Sequence, residues 1–366
     1  MTRLLHVFST FAPGGPQVRT ARLLPELERS WKHAILALDG CTDARTLLAP
    51  ELGVEILTAP LRAGTLRTTL ALARFLRRLR PELLLTYNWG ALDALLASRL
   101  AGPRAVVHHE DGFRPDEVAA FKRRRVWMRR LLLPGTRAVI VPSYRLETIA
   151  RELWRLAPEL VCRIPNGIRL ADFPARDGNA PRRAELGIPR GALVIGFVGH
   201  LRAEKNPVRM VQALEHVPAH LLMLGDGPER AAVERTARAL GLGSRVHLVG
   251  HRAAPQDDYR AMDVFALSSD TEQMPVALLE AMASALPVAS TDVGDVRRIL
   301  PEEQAELVVP VAGGPAALSR ALSRLAAEPA LRTRLGNANR TRVEREFSFE
   351  RMLAAYRAVY ARALEG

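Results

Sequence analysis

Residues 268–283 read SSDTEQMPVALLEAMA and carry two glutamates, Glu272 and Glu280, on either side of a proline. Proline is favoured in the first turn of a helix, and good helix formers follow Pro275 with one β-branched interruption. The pattern predicts a helix that begins between the glutamates, with Glu280 in its second turn. On one straight helix the two carboxylates would be about 12 Å apart, whereas a loop that folds back can turn both toward one ligand.

The start of this predicted helix is suited to binding an anion. The first backbone N–H groups of a helix have no partner within it, and the helix dipole is positive there. Carboxylates on either side can accept hydrogen bonds from sugar hydroxyls. The combination suits a nucleotide sugar, although two glutamates at this spacing also occur by chance on an exposed helix.

The run from Ser268 to Gly294 resembles the E-x7-E signature of the retaining glycosyltransferases of family 4, which have the GT-B fold. The resemblance implies that Glu272 contacts the donor sugar and that Glu280 contacts the ribose of the donor nucleotide. It also implies donor contacts at the start of the helix, from Met274, Pro275 and Val276.

The chain departs from the family pattern at three positions in this run. Gln273 stands where the family has a glycine, so its side chain can crowd or hydrogen-bond the donor sugar. Ala285 replaces the glycine of a turn, which is tolerable while its φ angle stays negative. Asp295 replaces a second glycine after Gly294 and brings negative charge near the expected phosphate site.

Short apolar runs alternate with helical stretches along the whole chain, which predicts α/β domains with parallel, doubly wound sheets. With the resemblance, this predicts a GT-B fold of two Rossmann-like domains facing a central cleft. The expected segments are an acceptor-binding domain over 1–174, a linker over 175–190, a nucleotide-sugar-binding domain over 191–345, and a C-terminal helix over 346–366 that crosses back to the first domain.

Cations follow the first predicted strand of the second domain. Gly199 ends that strand, and Arg202 and Lys205 match the family's G-R-x-x-x-x-K-N stretch. Two such cations can bind a diphosphate and stabilise the charge that develops as it leaves. The expected catalytic residues of this domain are therefore Arg202, Lys205 and Glu272. The resemblance adds three donor-binding positions at later strands: Gly225, His247 and Leu248.

Polar residues also stand at strand ends in the first domain. Gly14 and Gly15 match a Gly-Gly loop that abuts the donor diphosphate and the acceptor in the family, and glycine lets backbone approach a ligand closely. Residues 108–112 read HHEDG where the family usually has His-Gly or Glu-His-Gly, so either His109 or Asp111 fills the catalytic position. The expected acceptor-side residues are Asn88, His108 and His109.

Composition and charge limit the class of protein. A chain of 366 residues with 48% hydrophobic residues can form two cores, and two distant cysteines indicate a reducing cytoplasm. The formal net charge is +13, but zinc spacings, helix-turn-helix patterns and aromatic RNA-binding signatures are absent, so no nucleic acid is expected. The stretch FKRRRVWMRRLLL at 121–133 predicts a basic helix, either solvated with a buried stripe or peripheral on an anionic inner-membrane face.

We therefore expect a retaining glycosyltransferase that moves a sugar, with a UDP-sugar favoured, to a saccharide or lipid-linked acceptor in cell-surface polysaccharide or glycoconjugate synthesis. No metal-ligand cluster is visible in the sequence, so no metal or other cofactor is expected. Two alternatives remain, a sugar-nucleotide epimerase on the same fold and a weak or inactive relative that binds a nucleotide sugar or a partner. An oxidoreductase is disfavoured because no G-x-G-x-x-G follows a predicted strand.

Overall fold

The computed structural model describes residues 2–60, 64–102, 105–113, 117 and 121–365, which form two compact units. The first runs to Asn166 and includes the chain from Met352 onward, and the second runs from Gly167 to Arg351. The division therefore falls before the linker predicted over 175–190. That segment belongs to the second unit, because Arg182 and Arg183 on its helix bind Asp258 and Asp263 there, each at 2.8 Å.

In the described part of the first unit, seven parallel strands form one sheet in the order β3-β2-β1-β4-β5-β6-β7. The strands are β1 (Thr2–Phe8), β2 (Trp31–Ala37), β3 (Glu55–Leu57), β4 (Leu83–Tyr87), β5 (Ala105–His109), β6 (Ala138–Val141) and β7 (Val161–Arg163). Its helices are α1 (Gly15–Leu23), α2 (Gly64–Leu79), α3 (Leu92–Ala101), α4 (Arg123–Leu132) and α5 (Tyr144–Thr148).

The second unit is described throughout and has a six-stranded parallel sheet in the order β10-β9-β8-β11-β12-β13. The strands are β8 (Leu193–Val198), β9 (Ala219–Leu224), β10 (Val246–Gly250), β11 (Val264–Leu267), β12 (Val288–Thr291) and β13 (Val308–Val309). The helices are α6 (Ala180–Glu185), α7 (Pro207–Ala213), α8 (Arg230–Ala239), α9 (Gln256–Arg260), α10 (Val276–Ala283), α11 (Val296–Ile299), α12 (Gly314–Ala327), α13 (Pro329–Glu346) and α14 (Phe349–Glu365). The last helix, α14, enters the first unit at Met352.

Both sheets carry apolar side chains on both faces, as parallel sheets require. In β1, for example, Leu4 points to one face and Leu5 and Val7 point to the other, and all three are fully buried. The two parallel, doubly wound sheets confirm the predicted GT-B class. No helix in the described ranges combines the length and the apolar character needed to cross a bilayer.

Ala285 closes α10 in a conformation that the sequence analysis did not anticipate. Its φ is +56°, in the left-handed region, so the condition under which alanine would be tolerable here, a negative φ, is not met. Its N–H donates to Met282 O and that of Leu286 donates to Ala281 O, each at 3.0 Å. These two bonds form a Schellman motif. In this motif the first residue after the helix C-cap, here Ala285, adopts the left-handed conformation, and that residue is usually glycine.

We expect Ala285→Gly to stabilise the protein slightly. Removing the Cβ relieves the strain of the left-handed conformation, which costs alanine roughly 1–2 kcal/mol. Glycine also gives the unfolded chain more conformational freedom, which offsets roughly 0.5–1 kcal/mol of that gain. Urea unfolding checks this against Ala231→Gly on the exposed face of α8, which should cost about 1 kcal/mol. Equal destabilisation by the two substitutions would contradict the strain at Ala285.

Candidate functional site

Three strand ends of the second unit meet in a small space. Gly225 follows β9 with a φ of +130°, and a Cβ at this position would lie 1.9 Å from Gly199 O. Its N–H donates to Gly250 O at 2.8 Å. Only glycine fits at 225, because the backbones after β8, β9 and β10 approach each other here.

Lys205 and Glu272 form the polar centre of this unit. Lys205 Nζ donates to Glu272 Oε1 at 2.5 Å, and Ser269 Oγ donates to the same oxygen at 2.8 Å. The Glu272 side chain is 8% exposed and that of Lys205 is 27% exposed. The structure thus brings together two predicted catalytic residues that are 67 positions apart in sequence.

The loop before α10 is attached to the segment that carries Lys205. Ser268 Oγ donates to the carbonyl oxygens of Lys205 and Asn206, at 3.0 and 2.9 Å. Arg209 on α7 donates to Ser268 O at 2.9 Å and pairs with Asp270 at 2.6 Å. These bonds fix the loop relative to α7, so the Lys205–Glu272 geometry is set by backbone as well as side-chain contacts.

Helix α10 begins where the sequence predicted. Pro275 is its N-cap and makes no side-chain capping bond, Val276 is its first residue, and Glu280 lies in its second turn with 8% exposure. Tyr259 OH donates to Glu280 Oε2 at 2.9 Å. Burial and the nearby Glu280 charge raise the pKa of Tyr259 well above its usual value, so it remains a donor. Met274 points into the hydrophobic core instead.

Two of the departures from the family pattern, Gln273 and Asp295, lie beside Gly294, and each has distinct surroundings. Gly294 has a φ of +54°, and a Cβ there would lie 2.5 Å from Glu272 O, so it packs directly on the Glu272 backbone. Asp295 is buried at the start of α11. Gln273 Oε1 is buried and has no hydrogen-bond partner among the described residues. Arg202, in contrast, is exposed and lies 4.0 Å from Glu204.

His247 and Leu248 lie inside their strand and not at its end. β10 continues to Gly250, and the His247 ring stacks on His220 with Nε2 2.9 Å from His220 Nδ1. The polar end of β10 is therefore Gly250 and His251.

In the first unit, Gly14 and Gly15 stand at the start of α1, with Gly14 as its N-cap. Arg19, in the second turn of α1, pairs with Asp111 at 2.5 Å and donates to Asn166 Oδ1 at 3.2 Å. Asn88 accepts a hydrogen bond from the Asp111 N–H at 2.7 Å. Asn88 and Asp111 thus lie together at the carboxyl ends of β4 and β5, with an arginine partner that the sequence analysis missed.

His108 and His109 are fully buried, so the prediction that their side chains face an acceptor is wrong for this structure. Both belong to β5, which runs two residues past its apolar run Ala105–Val107. His109 contacts Tyr360 OH at 2.9 Å and Thr86 O at 3.1 Å. Burial, and then the Arg19 charge, lower the pKa of His109 well below its usual value. Of the two candidates, Asp111 is the one that reaches the strand end.

A row of buried polar rings continues from His109 across the first sheet. The Tyr87 ring stacks on His109 at 4.3 Å, Tyr87 OH lies 2.9 Å from His6 Nδ1, and His6 Nε2 lies 3.1 Å from His33 Nδ1. Burial lowers the pKa of His33 to about 4, and burial with the His33 charge lowers that of His6. These histidines are neutral structural residues at neutral pH.

Helix α4 is anchored by Arg129, which is fully buried. Arg129 Nε donates to Glu110 Oε2 at 2.8 Å, and Glu117 accepts from Arg129 and Arg125 at 3.4 and 2.7 Å. Burial would raise the pKa of Glu110, but Arg129 and His108 hold it at about 2. Arg129 is therefore internal and Arg125 is largely covered, so this basic helix has the buried stripe that one of the two alternatives expected.

The exposed side of α4 has a different character. Trp127 and Leu131, one turn apart, are 66% and 69% exposed, and the Arg130 guanidinium lies 5.5 Å from the Trp127 ring centroid. Arg123 and Arg124 are also exposed. In the described ranges, no cluster of three or more histidine, cysteine or acidic side chains is arranged to hold a metal ion.

Two parallel α/β units with polar side chains at their strand ends define a GT-B protein, a class shared with solved glycosyltransferases. Residues 14–167 match the family model of a glycosyl transferase 4-like domain, and residues 179–342 match glycosyl transferases group 1. The chain belongs to this group 1, family-4-like glycosyltransferase family.

Three comparisons describe its relatives. It is 30% identical over 349 residues to the 2-deoxystreptamine N-acetyl-D-glucosaminyltransferase of Streptomyces fradiae, which covers 85% of this chain and 82% of that protein. It is 32% identical over 231 residues to a D-inositol 3-phosphate glycosyltransferase of Streptomyces bingchenggensis, covering 57% of this chain but only 49% of the relative's length. HepE of Anabaena, solved in complex with UDP, superposes with a TM-score of 0.83 at 19% identity over all of both chains.

We expect the buried histidines to make stability fall as the pH drops. Unfolded histidine has a pKa near 6.5, so between that value and about 4 the unfolded state binds more protons at His33. This stability is fully present above pH 6.5 and lost as the pH falls toward 4. When the pH is lowered from 7 to 5, the unfolding free energy of the parent should fall by roughly 1–2 kcal/mol more than that of His33→Gln, because the variant lacks the titrating group. Urea unfolding at both pH values measures this, with His216→Gln, which removes an exposed histidine, as control.

Proposed function

We propose that the chain is a retaining glycosyltransferase that takes its sugar from a nucleoside diphosphate sugar. The observation that carries this proposal is the Lys205–Glu272 pair beside the start of α10. The pair joins a cation to a carboxylate that closely precedes α10, and the first N–H groups of a helix have no partner within the helix. A diphosphate and a sugar hydroxyl are the groups that such a set recognises.

Lys205 and Arg202 would act on the leaving diphosphate. Negative charge grows on that group as the glycosidic bond breaks, so a cation held at a fixed position stabilises the transition state more than the ground state. Lys205 is held by Glu272, whereas Arg202 is exposed. Lys205 would therefore offer a cation at a fixed position, whereas the exposed Arg202 side chain would move to contact the diphosphate when it binds.

Glu272 would accept hydrogen bonds from the donor sugar. One of its oxygens already accepts from Lys205 and Ser269, which lowers its strength as a nucleophile and favours a binding role. The unpaired Gln273 Oε1 next to it can accept a further sugar hydroxyl. Glu280, oriented by Tyr259, would hold the ribose. UDP is the favoured nucleoside diphosphate, as in the HepE complex.

The acceptor would be a saccharide or a lipid-linked saccharide bound by the first unit, in the synthesis of a cell-surface polysaccharide or glycoconjugate. We further propose that α2 and α4 meet an anionic membrane surface. Neither helix contains an acidic residue, and each exposes two apolar side chains one turn apart among arginines. These apolar side chains are Leu66 and Leu70 on α2, and Trp127 and Leu131 on α4. Such faces bind the lipid interface by apolar burial and by attraction to anionic headgroups.

The division of roles between the two glutamates is testable with UDP and a UDP-sugar. Loss of a charged hydrogen bond should make Glu280→Ala bind UDP about 10- to 100-fold more weakly, equivalent to roughly 1.5–3 kcal/mol. Glu272→Ala should not weaken UDP binding, and should strengthen it slightly, because the sugar is absent and Lys205 is released from its partner, but it should lose hydrolysis of the UDP-sugar. Calorimetry with UDP and measurement of UDP release from a panel of UDP-sugars check both expectations.

Tyr259→Phe is the control for orientation, because it keeps the Glu280 charge and removes one hydrogen bond; its loss of UDP affinity should be smaller than that of Glu280→Ala. NMR of the transferred sugar tests retention, which requires the anomeric configuration of the donor in the product. Equal loss of UDP affinity in both glutamate variants would contradict the assignment, and an inverted product would contradict the mechanism.

The membrane proposal predicts binding to vesicles that contain phosphatidylglycerol and weak binding to pure phosphatidylcholine. Trp127→Ser with Leu131→Ser should weaken binding to the anionic vesicles roughly tenfold, since two exposed apolar side chains no longer enter the interface. Salt should weaken binding of the parent through screening. Vesicle sedimentation measures both effects.

The matched control is Leu47→Ser with Leu100→Ser, which removes two exposed leucines that lie outside α2 and α4. It should sediment like the parent. If the two double variants bind alike, this surface is not the membrane contact, and a soluble acceptor is favoured.

A further inference from the structure

Two ion pairs join the same two segments of the second unit, and the proposed function uses only one of them. One segment leads from β8 into α7, and the other follows β11. Lys205 on the first segment pairs with Glu272 on the second at 2.5 Å. Arg209 on the first segment pairs with Asp270 on the second at 2.6 Å. The proposed ligand contacts involve neither Arg209 nor Asp270, so this second pair can stay closed when a ligand engages the first.

The Arg209 guanidinium makes two contacts with the loop after β11. Its Nη1 donates to Ser268 O at 2.9 Å, and its Nη2 pairs with Asp270 Oδ1 at 2.6 Å. The Arg209 side chain is 11% exposed, less than half the exposure of Lys205 at 27%. A guanidinium presents several donors in a rigid plane, so it holds two acceptors in a fixed relation better than an ammonium group does. Arg209 therefore fixes both the backbone and a side chain of this loop.

Asp270 is bonded to the residues on both sides of Lys205. Its Oδ2 accepts from Asn206 Nδ2 at 3.1 Å, and its N–H donates to Glu204 O at 2.9 Å. Asn206 is also the N-cap of α7, where its side chain accepts from the Arg209 N–H at 3.1 Å. Its φ is +44°, a left-handed conformation that asparagine adopts more readily than most residues. The backbone that carries Lys205 is thus held in place from the Asp270 side.

The two pairs differ in what a bound donor would do to them. A ligand that engages Lys205 and Glu272 opens their pair and removes one contact between the two segments. The contacts of Arg209 and Asp270 then determine how far each segment can move. A cation stabilises developing charge only when it is held at a fixed position, and a displacement of about 1 Å can cost roughly 100-fold in rate. The Arg209–Asp270 pair therefore matters most while the other pair is open.

We propose that Arg209 and Asp270 are positioning residues of the donor site, which keep Lys205 and Glu272 in register for sugar transfer while the Lys205–Glu272 pair is open. The inference rests on the proposed function for the roles of Lys205 and Glu272, whereas the link between the two segments rests on the contacts themselves. Arg209 and Asp270 touch no ligand and act through their neighbours. Their loss should therefore reduce turnover more than donor binding.

Arg209→Gln tests the proposal by removing the guanidinium charge and its contact with Asp270. We expect kcat for UDP release from a UDP-sugar to fall about tenfold, with KM changed less than about threefold, because a displaced Lys205 loses more stabilisation in the transition state than in the ground state. Asp270→Asn should act in the same direction. The double variant should lose no more than Arg209→Gln alone, since both changes break the same pair. Steady-state UDP release from a panel of UDP-sugars measures these effects.

Arg183→Gln is the matched control, because Arg183 makes the same kinds of contact at the other end of β11. Its guanidinium donates to Asp263 and to the Ala261 carbonyl oxygen, each at 2.8 Å, and its side chain is 14% exposed. The substitution should lower the free energy of unfolding in urea about as much as Arg209→Gln does and leave kcat unchanged. Equal loss of kcat in the two variants, or a raised KM with an unchanged kcat in Arg209→Gln, overturns the proposal.

A second measurement needs no turnover and uses the low lysine content of the chain. Its three lysines are Lys32, Lys122 and Lys205. Acetic anhydride reacts with an amine that is uncharged and free, so the contact with Glu272 slows acetylation of Lys205. In Arg209→Gln the ratio of acetylated Lys205 to acetylated Lys32 should rise about fivefold, the effect of coupling within one ion-pair network. In Arg183→Gln the ratio should equal that of the parent. Mass spectrometry of the lysine-containing peptides, after reaction without UDP, measures the ratio.

The two measurements separate failure of this inference from failure of the proposed function. Equal acetylation ratios in the parent and Arg209→Gln overturn the positioning role, and so does a raised ratio with an unchanged kcat. If no UDP-sugar of the panel releases UDP, the proposed function fails, while the acetylation ratio still decides whether Arg209 positions Lys205. A raised ratio together with a lowered kcat in Arg209→Gln, with neither change in Arg183→Gln, supports the proposal.

Discussion

The parallel arrangement of the two sheets determines where chemistry can occur in this protein. A parallel sheet is covered on both faces, so a polar side chain inside it must find an internal partner, and polar groups that meet ligands stand at the strand ends. His109 illustrates the first situation, with both ring nitrogens bonded inside the first unit. Glu272, in the loop after β11, illustrates the second, since it meets Lys205 from the loop after β8.

Much of the second unit could be predicted from its sequence because its signals are local. The start of α10 follows from Pro275 and the helix formers after it, and the structure places Glu272 and Glu280 on either side of that start. What the sequence could not supply were partners distant along the chain. No sequence pattern marks the residues that bind the acidic side chains of the site, because their roles arise only when separate segments come together in the fold. These contacts are the hydrogen bonds of Tyr259 to Glu280 and of Ser269 to Glu272, and the ion pair of Arg209 with Asp270.

The first unit was predicted less well, and the reason is physical. Two histidines beside two acids read as an exposed polar cluster, but β5 runs two residues further than its apolar run and takes both histidines inside. Likewise the arginines of α4 look alike in sequence, while Arg129 is enclosed by two glutamates and by the Trp89, Phe113 and Trp154 rings. Helical position alone does not reveal which cation has an acidic partner from another element.

The contact between Lys205 and Glu272 has a consequence for the order of events at the donor site. Each group is the other's partner in this structure, so a ligand that engages only one of them leaves the second without its counter-charge. A bare nucleoside diphosphate competes with Glu272 for Lys205, whereas a complete nucleotide sugar supplies a partner to both. Under the proposed roles, the pair thus discriminates between substrate and spent product, and its re-formation after transfer assists the departure of the nucleotide. Over a full turnover, the ion pair would therefore break when the substrate binds and form again when the nucleotide leaves, which returns the donor site to its starting state.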